Sequence, residues 1–261
     1  MDYLRQLELN DGWKIFHSEI STSTNSELLA YGREGGLEGS ILITDHQSSG
    51  KGRLGRIWND EPGSSLLMSI LLRPKVAFDA YFFISMTLGI SIVEALQDYG
   101  VDAKLKWPND LLVGEKKLAG ILAEIETGKE NLLVIGVGVN LNQSTAQLAE
   151  LQRPATSVVI ATGRSMGLEE RLDFAKRAIE RFREKYDRLQ SSNSRDELVK
   201  AYRRYSATIG RFVRVDFVDG ESVAGNCLDI TERGELMVEV DTCIRMVDSA
   251  DVHHLFTIEG C

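Results

Sequence analysis

The side chains best suited to chemistry are concentrated in a glycine-rich segment at residues 50–58, which reads Gly-Lys-Gly-Arg-Leu-Gly-Arg-Ile-Trp. Glycines let backbone N–H groups approach a ligand closely, and Lys51, Arg53 and Arg56 supply positive charge for a phosphate or a carboxylate. The segment is not a P-loop, because no Gly-x-x-x-x-Gly-Lys-[Ser/Thr] sequence occurs in it and no helix pattern follows. It therefore predicts an anion-binding loop, and a basic surface loop without a ligand is the alternative.

A second candidate segment carries lysines on two strand-like pieces around a Pro-Asn-Asp turn. Residues 104–110 read Lys-Leu-Lys-Trp-Pro-Asn-Asp, and residues 116–122 read Lys-Lys-Leu-Ala-Gly-Ile-Leu. A buried ammonium group on an apolar strand needs an anionic partner, which indicates a ligand carboxylate or phosphate. The alternative is a strand-end lysine whose head group reaches water. Asn109 and Asp110 are interpreted either as Mg²⁺ ligands or as residues that close a turn, and the residues alone favour the turn.

Two further segments carry weaker signals. Residues 136–140 read Gly-Val-Gly-Val-Asn, which is half of a dinucleotide-binding fingerprint without the third glycine or an early acidic partner for the ribose. This gives little support to a dinucleotide-dependent oxidoreductase and favours a strand that packs close to a ligand or another element. His253 and His254 are adjacent, so in a strand they point to opposite faces and do not hold one metal ion together.

Composition argues against several functional classes. The chain of 261 residues has a formal net charge of −9 and a sequence pI near 5.1, which disfavours binding of nucleic acid by phosphate neutralisation. The longest unbroken apolar run, about eight residues at 132–139, is shorter than the roughly 18 to 20 that span a bilayer. Cys227, Cys243 and Cys261 are few and scattered, which suits a reducing compartment. We therefore expect a cytoplasmic protein without a signal peptide and with neither a nucleic-acid nor a membrane partner.

Hydrophobic periodicity predicts short strands and helices in an irregular order. Apolar residues recur every three or four positions, which predicts helices at 25–32, 79–99, 172–189 and 195–205. Short apolar runs between turn residues predict strands at 13–20, 40–45, 65–72, 103–107, 111–113, 118–126 and 132–141. The order lacks a regular βαβ alternation and therefore favours an α+β fold over a doubly wound sheet.

The pattern changes to a period of two after Gly210. Strands are expected at 212–217, 222–229, 235–240 and 243–247, with Asp219-Gly220 as a hairpin turn between the first two. Several short strands in about 50 residues predict a small β-barrel or sandwich. We place a domain boundary near Thr208, which gives an α+β domain at 1–207 and a small β domain at 208–261.

Taken together and in order, these segments resemble the biotin–protein ligase family. The segments that carry the resemblance are Ser23-Thr24-Asn25, Gln47, the 50–58 loop, Lys-Trp-Pro-Asn-Asp at 106–110, Lys-Leu-Ala-Gly-Ile-Leu at 117–122 and Gly-Val-Gly-Val-Asn at 136–140. The resemblance extends from about Phe16 to the end, and the two lysine-containing segments are highly specific for the family. It implies a mixed-sheet α+β catalytic domain of the biotin/lipoate ligase type, followed by a small SH3-like β-barrel C-terminal domain.

The resemblance implies an ATP-dependent, AMP-forming ligase. Such an enzyme makes biotinyl-5′-AMP from biotin and ATP, with Mg²⁺ as the ion and no tightly bound prosthetic group, and transfers biotin to a lysine of a carboxylase's biotin carrier domain. The implied catalytic residues are Lys117 and Arg53. The residues implied to bind biotin are Ser23, Thr24, Asn25, Gln47, Lys51, Gly52, Arg53 and Lys117. Those implied to bind the nucleotide are Lys51, Arg53, Arg56, Trp58, Asn109 and Asn140, and Asp110 is the candidate metal ligand.

One departure from the family pattern concerns the loop, which usually reads Gly-Arg-Gly-Arg. Lys51 stands at the first arginine position, so the charge is kept but the bidentate guanidinium fork is lost. We expect residues 50–55 of this loop to be poorly ordered without ligand and to order over the bound adenylate.

The sequence leaves other questions open. About twelve residues precede the first predicted strand, so we expect the monofunctional form, which lacks the N-terminal DNA-binding domain. The alternative functions are a lipoate–protein ligase and a non-catalytic biotin or nucleotide sensor. A monomer and a homodimer are both compatible with the sequence.

Overall fold

The apolar runs of the first 140 residues assemble into one mixed sheet. The computed structural model describes residues 5–9, 12–128, 131–151, 153–192 and 194–255. The strands of this sheet are β1 (Arg5–Glu8), β2 (Lys14–Ser21), β3 (Ser40–Gln47), β4 (Ser65–Leu72), β5 (Lys104–Lys106), β6 (Asp110–Val113), β7 (Lys116–Glu126) and β8 (Leu132–Asn140). Their spatial order is β1-β2-β3-β4-β8-β7-β6-β5. Strands β2 and β3 are parallel, and the other neighbours pair antiparallel.

Strands β4 and β8 are the most buried part of this sheet. Every residue of both strands is buried, as expected for nearly continuous apolar runs that are covered on both faces. Their antiparallel register places Gly136 opposite Ser69 and Gly138 opposite Leu67. Two positions without side chains therefore lie in the middle of the sheet, where another group can approach the backbone closely.

Helices cover both faces of the sheet. Among the described residues they are α1 (Thr24–Arg33), α2 (Tyr81–Gln97), α3 (Thr145–Ala149), α4 (Val158–Thr162), α5 (Leu168–Ser192) and α6 (Arg195–Tyr205). Alternate strand residues belong to different apolar clusters: Ile41 and Ile43 pack with α2, α5 and α6, whereas Leu42 packs with α1. Because side chains alternate along a strand, the two clusters lie on opposite faces.

Helix α2 is the central helix of the larger cluster. The stretch Phe78–Gln97, which includes it, is the one helical stretch of the described chain that is long and apolar enough to cross a membrane. Its most apolar window is 78% buried inside the protein. Burial against the sheet, α5 and α6 accounts for its apolar composition without a membrane.

A second sheet follows α6. Its strands are β9 (Phe212–Asp216), β10 (Ser222–Ile230), β11 (Leu236–Val240), β12 (Cys243–Val247) and β13 (Asp251–His254), in the antiparallel order β12-β11-β10-β9-β13. The predicted hairpin is confirmed, since Asp219-Gly220 joins β9 to β10 and Gly220 has φ +92°. Within residues 212–255 no pairing joins β12 to β13, so the SH3-like unit is an antiparallel sheet and not a closed barrel.

Trp107 attaches the second sheet to the first. Its side chain is 1% exposed, its backbone N–H donates to Thr208 Oγ1 at 3.1 Å, and its indole N–H donates to Gly234 O at 3.1 Å. Residues of both sheets, such as Ile135 and Val213, belong to one apolar cluster. The division into domains at residues 207 and 208 stays a prediction.

The α+β class and most predicted elements are confirmed, and β13, like β1, was not predicted as a strand. Strand β1 precedes the predicted first strand and pairs antiparallel with β2. Helices α3 and α4 were not predicted, because a helix of five residues is too short to show a periodic pattern. The helix predicted at 79–99 is shorter, since α2 spans Tyr81–Gln97, and Gly100 follows it with φ +76°.

Candidate active site

Helix α1 presents a polar first turn to the middle of the mixed sheet. Ser23 is its N-cap, with an extended backbone (φ −162°, ψ 123°) and a side chain that accepts a hydrogen bond from Ser26 N. Thr24 and Asn25, the next two residues, are each only 4% exposed. Buried polar side chains need hydrogen-bond partners, and neighbouring strands provide them.

A hydrogen-bond network connects this turn to β3, β4 and β7. Thr24 N and Oγ1 both donate to Gln47 Oε1, at 2.8 and 3.0 Å. Ser69 Oγ lies 2.7 Å from Thr24 Oγ1 and 2.6 Å from Asn25 Oδ1, and Asn25 Nδ2 donates to Glu124 Oε2 at 2.8 Å. The network holds several donors and acceptors in fixed positions around a small recess, which we call the polar recess.

Trp58 closes one side of the polar recess. The other lining residues are Ser23, Thr24, Asn25, Gln47, Lys51, Met68, Gly120, Leu122, Gly136, Val137 and Gly138. The indole lies on backbone that carries no side chain, since a Cβ at Gly138 would be 2.5 Å from Trp58 Cε2 and one at Gly120 would be 3.3 Å from Cζ3. Trp58 Nε1 is buried and has no hydrogen-bond partner among the described residues. An unpaired buried donor at a recess indicates a place for a ligand acceptor.

The 50–58 loop folds back beside the polar recess as a narrow hairpin. Trp58 N donates to Gly50 O at 3.0 Å, and Gly50 lies so close to Trp58 O that a Cβ would collide with it. Leu54, at the tip, adopts the left-handed region with φ 55° and ψ 39°. Leu54 and Ile57 are 60% and 73% exposed, whereas the Arg53 side chain is 22% exposed. The apolar tip therefore faces solvent and Arg53 turns towards the protein.

Next to the recess lies a cavity of about 630 Å³, which we call the cationic cavity. Its cationic side chains are Lys51, Arg53, Arg56, Lys106, Lys117 and Arg153, and its acidic side chains are Asp110, Glu150 and Asp251. Six cations and three carboxylates leave an excess of three positive charges, although the whole chain has a net charge of −9. A cleft with this local excess attracts anionic ligands.

Lys117 lines the cationic cavity beside Trp58, which borders both spaces. Its Nζ is 2.5 Å from Asp110 Oδ1 and 5.9 Å from the centre of the Trp58 ring. Nearby, burial lowers the pKa of Lys106, while the Asp110 carboxylate acts in the opposite direction. Asp110 thus stabilises the charge of two lysines, and a ligand anion near them would be stabilised in turn.

Lys51 connects the loop to the polar recess. Its Nζ is 3.4 Å from Glu124 Oε1, and the other oxygen of Glu124 accepts the hydrogen bond from Asn25. The lysine is about half exposed, so the pair alone adds little stability. It does place a charged loop residue beside the polar network.

Asp251, the first residue of β13, gathers arginines at the rim of the cationic cavity. It forms an ion pair with Arg56 and lies 3.8 Å from Arg53 Nη1 and 3.7 Å from Arg153 Nη2. Burial would raise the pKa of Asp251, but the hydrogen bond from Arg56 and the charges of the arginines hold it below its usual value. Burial lowers the pKa of Arg53.

The structure brings the predicted site residues to these two neighbouring spaces. Ser23, Thr24, Asn25 and Gln47 line the recess, Lys51 and Trp58 border both spaces, and Gly52, Arg53, Arg56, Asn109, Asp110, Lys117 and Asn140 line the cavity. Asn109 Nδ2 donates to Ile121 O at 2.7 Å, and its Oδ1 accepts from Arg53 at 3.2 Å, so it closes the turn and orients the arginine. Asn140 is 5% exposed, and its Nδ2 donates to Thr156 O at 3.0 Å. The roles assigned to these residues stay predictions.

Sequence reasoning did not assign five residues of this arrangement. They are Ser69, Lys106, Glu124, Arg153 and Asp251. The serine in the apolar run of β4 was a usable signal, because a buried hydroxyl needs a partner. Arg153 and Asp251 gave none, since each is an ordinary charged residue far along the chain from the motifs.

Among the described residues, the site has no cluster of side chains that could hold a metal ion by itself. Within the described part of the chain, no group of three or more His, Cys, Asp or Glu side chains is placed to hold a metal ion. His253 and His254 do not line the recess or the cavity and pair with Asp216 at 3.1 Å and Glu115 at 3.4 Å respectively. A magnesium ion carried by nucleotide phosphates needs only one or two protein carboxylates, and Asp110 fits this requirement.

Comparison with known proteins decides the family. Residues 20–142 match the biotin/lipoate A/B protein ligase family. The chain is 32% identical over 251 residues to the biotin–[acetyl-CoA-carboxylase] ligase of Mycobacterium tuberculosis. This alignment covers 94% of this chain and 90% of that protein. This chain belongs to the biotin/lipoate ligase family. A further relative, the Escherichia coli bifunctional ligase/repressor BirA, is 38% identical over 135 residues. That alignment covers 50% of this chain and 41% of the length of BirA.

Solved structures agree with the family. The biotin protein ligase of Aquifex aeolicus, solved in complex with biotin and ATP, superposes with a TM-score of 0.81 and 25% identity. The superposition covers 92% of this chain and 99% of that one. The family-matched range of this biotin/lipoate ligase contains the polar recess, the 50–58 loop and Lys117, whereas Arg153 and Asp251 lie beyond it.

Proposed function

We propose that this chain is a biotin–protein ligase that uses ATP. It makes biotinyl-5′-AMP and pyrophosphate, and then transfers biotin to a specific lysine of a carboxylase's biotin carrier domain. The observation that carries the proposal is the position of Trp58, which borders both a small recess of fixed polar groups and a larger cavity with excess positive charge, with Lys117 beside it on the cavity side. The neutral polar ring of biotin would bind in the recess and the triphosphate of ATP in the cavity. Their reacting groups would then lie close together beside Lys117.

The polar recess suits the ureido ring of biotin. That ring offers one carbonyl acceptor and two N–H donors, which require complementary groups in a mostly apolar pocket. Ser23, Thr24, Asn25 and Gln47 supply such groups, and Ser69 holds two of them in place. We assign these four residues to biotin binding, with Lys51 and Gly52 nearer the carboxylate end.

The first step joins two anions. A biotin carboxylate oxygen attacks the α-phosphorus of ATP, the bond from that phosphorus to the bridging oxygen of the β-phosphate breaks, and pyrophosphate leaves. Lys117 and Arg53 would lower the repulsion between the carboxylate and the phosphate and stabilise the charge that develops in the transition state. Arg56, Trp58, Asn109 and Asn140 are assigned to the nucleotide.

Magnesium is the expected ion of this step. Bound to the nucleotide, it would neutralise phosphate charge. Asp110 is the residue that would hold it, and the present contact of Asp110 with Lys117 keeps that carboxylate at the edge of the cationic cavity.

The second step passes biotin to the acceptor. The neutral amine of the acceptor lysine attacks the anhydride carbonyl, the bond from that carbon to the AMP oxygen breaks, and the nitrogen loses a proton as the amide forms. The Mycobacterium relative is named for acetyl-CoA carboxylase, which supports a carboxylase carrier domain as the acceptor. The 50–58 loop would cover the reactive anhydride and exclude water until the acceptor docks.

Mass spectrometry of a carrier domain tests the proposal. Incubation with biotin, ATP and Mg²⁺ should add one biotinyl group to the wild-type domain and none to a domain whose acceptor lysine is replaced by alanine. Lipoate in place of biotin should give no addition, and addition of a lipoyl group would assign the lipoate ligase function instead. Binding of biotin without transfer or adenylate would favour a sensor.

A reducing location fits the same proposal. Cys227 and Cys243 are free thiols, whereas Cys261 lies outside the described residues. Free thiols are typical of a reducing compartment. We therefore propose that the enzyme is cytoplasmic, where its carboxylase substrate would also be made.

A further inference from the structure

Asp251 joins three separate segments of the chain at the rim of the cationic cavity. Its carboxylate pairs with Arg56 and lies 3.8 Å from Arg53 and 3.7 Å from Arg153. The first two arginines belong to the 50–58 loop, the third follows α3, and Asp251 itself begins β13 of the second sheet. One carboxylate therefore connects two segments that border the cavity to a sheet outside the family-matched range.

The local charge makes this connection sensitive to the ligand. Three arginines surround one carboxylate whose side chain is 15% exposed, and the Asp110 carboxylate is engaged with Lys117. The arginines therefore have positive charge to spare for phosphate oxygens, with which guanidinium groups form strong paired hydrogen bonds.

The proposed reaction changes the anions that these arginines face. ATP brings a highly charged triphosphate into the cavity, so the arginines have phosphate partners whether or not Asp251 is present. Pyrophosphate then carries most of that charge away and leaves an adenylate with a single phosphate. At this stage Asp251, which is paired with these arginines, keeps the loop and the segment of Arg153 in contact with the second sheet.

We propose that Asp251 is a positioning residue that keeps the 50–58 loop and the Arg153 segment closed over the adenylate after pyrophosphate leaves. The inference rests on the proposed ligase function. It assigns Asp251 to retention of the intermediate and gives it little part in ATP binding.

The test is Asp251→Asn, which removes the charge and keeps the shape. The enzyme is loaded with labelled biotin and ATP, its adenylate complex is isolated by gel filtration, and release of labelled adenylate is followed in time. Loss of a charge-assisted contact that is partly screened by water should speed release about tenfold. The KM for ATP should stay within about twofold of the wild-type value.

Two further variants serve as controls. Asp251→Glu keeps the charge and should restore slow release. Asp229→Asn removes a carboxylate of the same sheet that pairs with Arg203 at 2.8 Å, away from the cavity, and should match the wild type in release and in KM. Thermal melting of each variant confirms that it is folded.

Specific outcomes would overturn the inference. Release from Asp251→Asn at the wild-type rate would remove Asp251 from retention. An increase in the KM for ATP in proportion to the release rate would show that the second sheet had been displaced as a whole. If the wild type and Asp251→Asn retain adenylate equally well, the inference about Asp251 is wrong and the proposed function stands. If the wild type forms no adenylate, the proposed function is wrong as well.

Discussion

The two glycines of β8 allow the Trp58 side and the Asn25 side of the polar recess to be perturbed separately. Gly138 lies under the Trp58 indole, and Gly136 lies under the Asn25 side chain. Alanine at either position adds one methyl group to the same strand two residues apart, on the same face. We expect Gly138→Ala to weaken the binding of both ATP and biotin, because Trp58 borders both spaces, and Gly136→Ala to weaken biotin binding alone.

The size of the first effect follows from distances. A Cβ at Gly138 would lie 2.5 Å from Trp58 Cε2 and 2.6 Å from Cζ2, so the indole must move by about 1 Å to reach ordinary contact. Overpacking of this kind costs about 1–3 kcal/mol. If that cost is taken from ATP binding, the KM for ATP rises roughly 5- to 150-fold.

The second substitution is the matched control. A Cβ at Gly136 would overlap Asn25 Oδ1 and would lie 3.0 Å from Ser69 Oγ, which disturbs the polar network and leaves Trp58 in place. Its KM for biotin should therefore rise while its KM for ATP stays near the wild-type value. Alanine is not disfavoured relative to glycine by backbone entropy in a strand, so thermal melting should show both variants folded.

Steady-state kinetics with each substrate varied in turn gives the result. An unchanged KM for ATP in Gly138→Ala would show that Trp58 does not form part of the nucleotide site. Equal increases in both KM values for Gly136→Ala would show that the recess and the cavity are not separate binding spaces.

Three other predictions address single groups. Lys117→Ala should abolish biotin-dependent pyrophosphate exchange without changing the melting temperature, because its ammonium group lies beside Trp58 on the cavity side and would face the reacting phosphate; near-native exchange would remove it from the mechanism. Arg53→Gly should release adenylate faster and biotinylate nearby lysines of bystander proteins, as a blot against biotin would show, and tight retention would argue against the loop's role. Burial raises the pKa of the Cys227 thiol to about 12, so at about pH 8 iodoacetamide should alkylate exposed Cys243 and spare Cys227 until the protein is unfolded; mass spectrometry of the native protein would detect the opposite order.

Much of the fold could be predicted because its strong signals are local. The period-two and helical patterns located most strands and helices, and Asp219-Gly220 gave a correct hairpin. Strand order could not be obtained in this way: β4 pairs with β8 across a long stretch of chain, and no local pattern encodes that choice. Strand β1, with four residues, is too short for its pattern to be read.

The site residues, like the fold, could be predicted from the sequence only where the signal is local. Residues within the recognised segments, such as Thr24, Gln47 and Lys117, do lie together. Asp251 meets the loop and Arg153 only because the second sheet packs beside them, and a single arginine or aspartate carries no signal outside that context. Lys106 lay inside a recognised segment, but its burial became visible only in the folded chain.

The central claim is that biotin in the polar recess reacts with ATP in the cationic cavity beside Trp58 and Lys117. Exchange of labelled pyrophosphate into ATP by the purified protein, measured with biotin and in parallel with lipoate, tests it most directly. We predict exchange that depends on biotin, does not occur with lipoate and is lost in Lys117→Ala. Exchange with lipoate alone, or no exchange although biotin binds, would contradict the account.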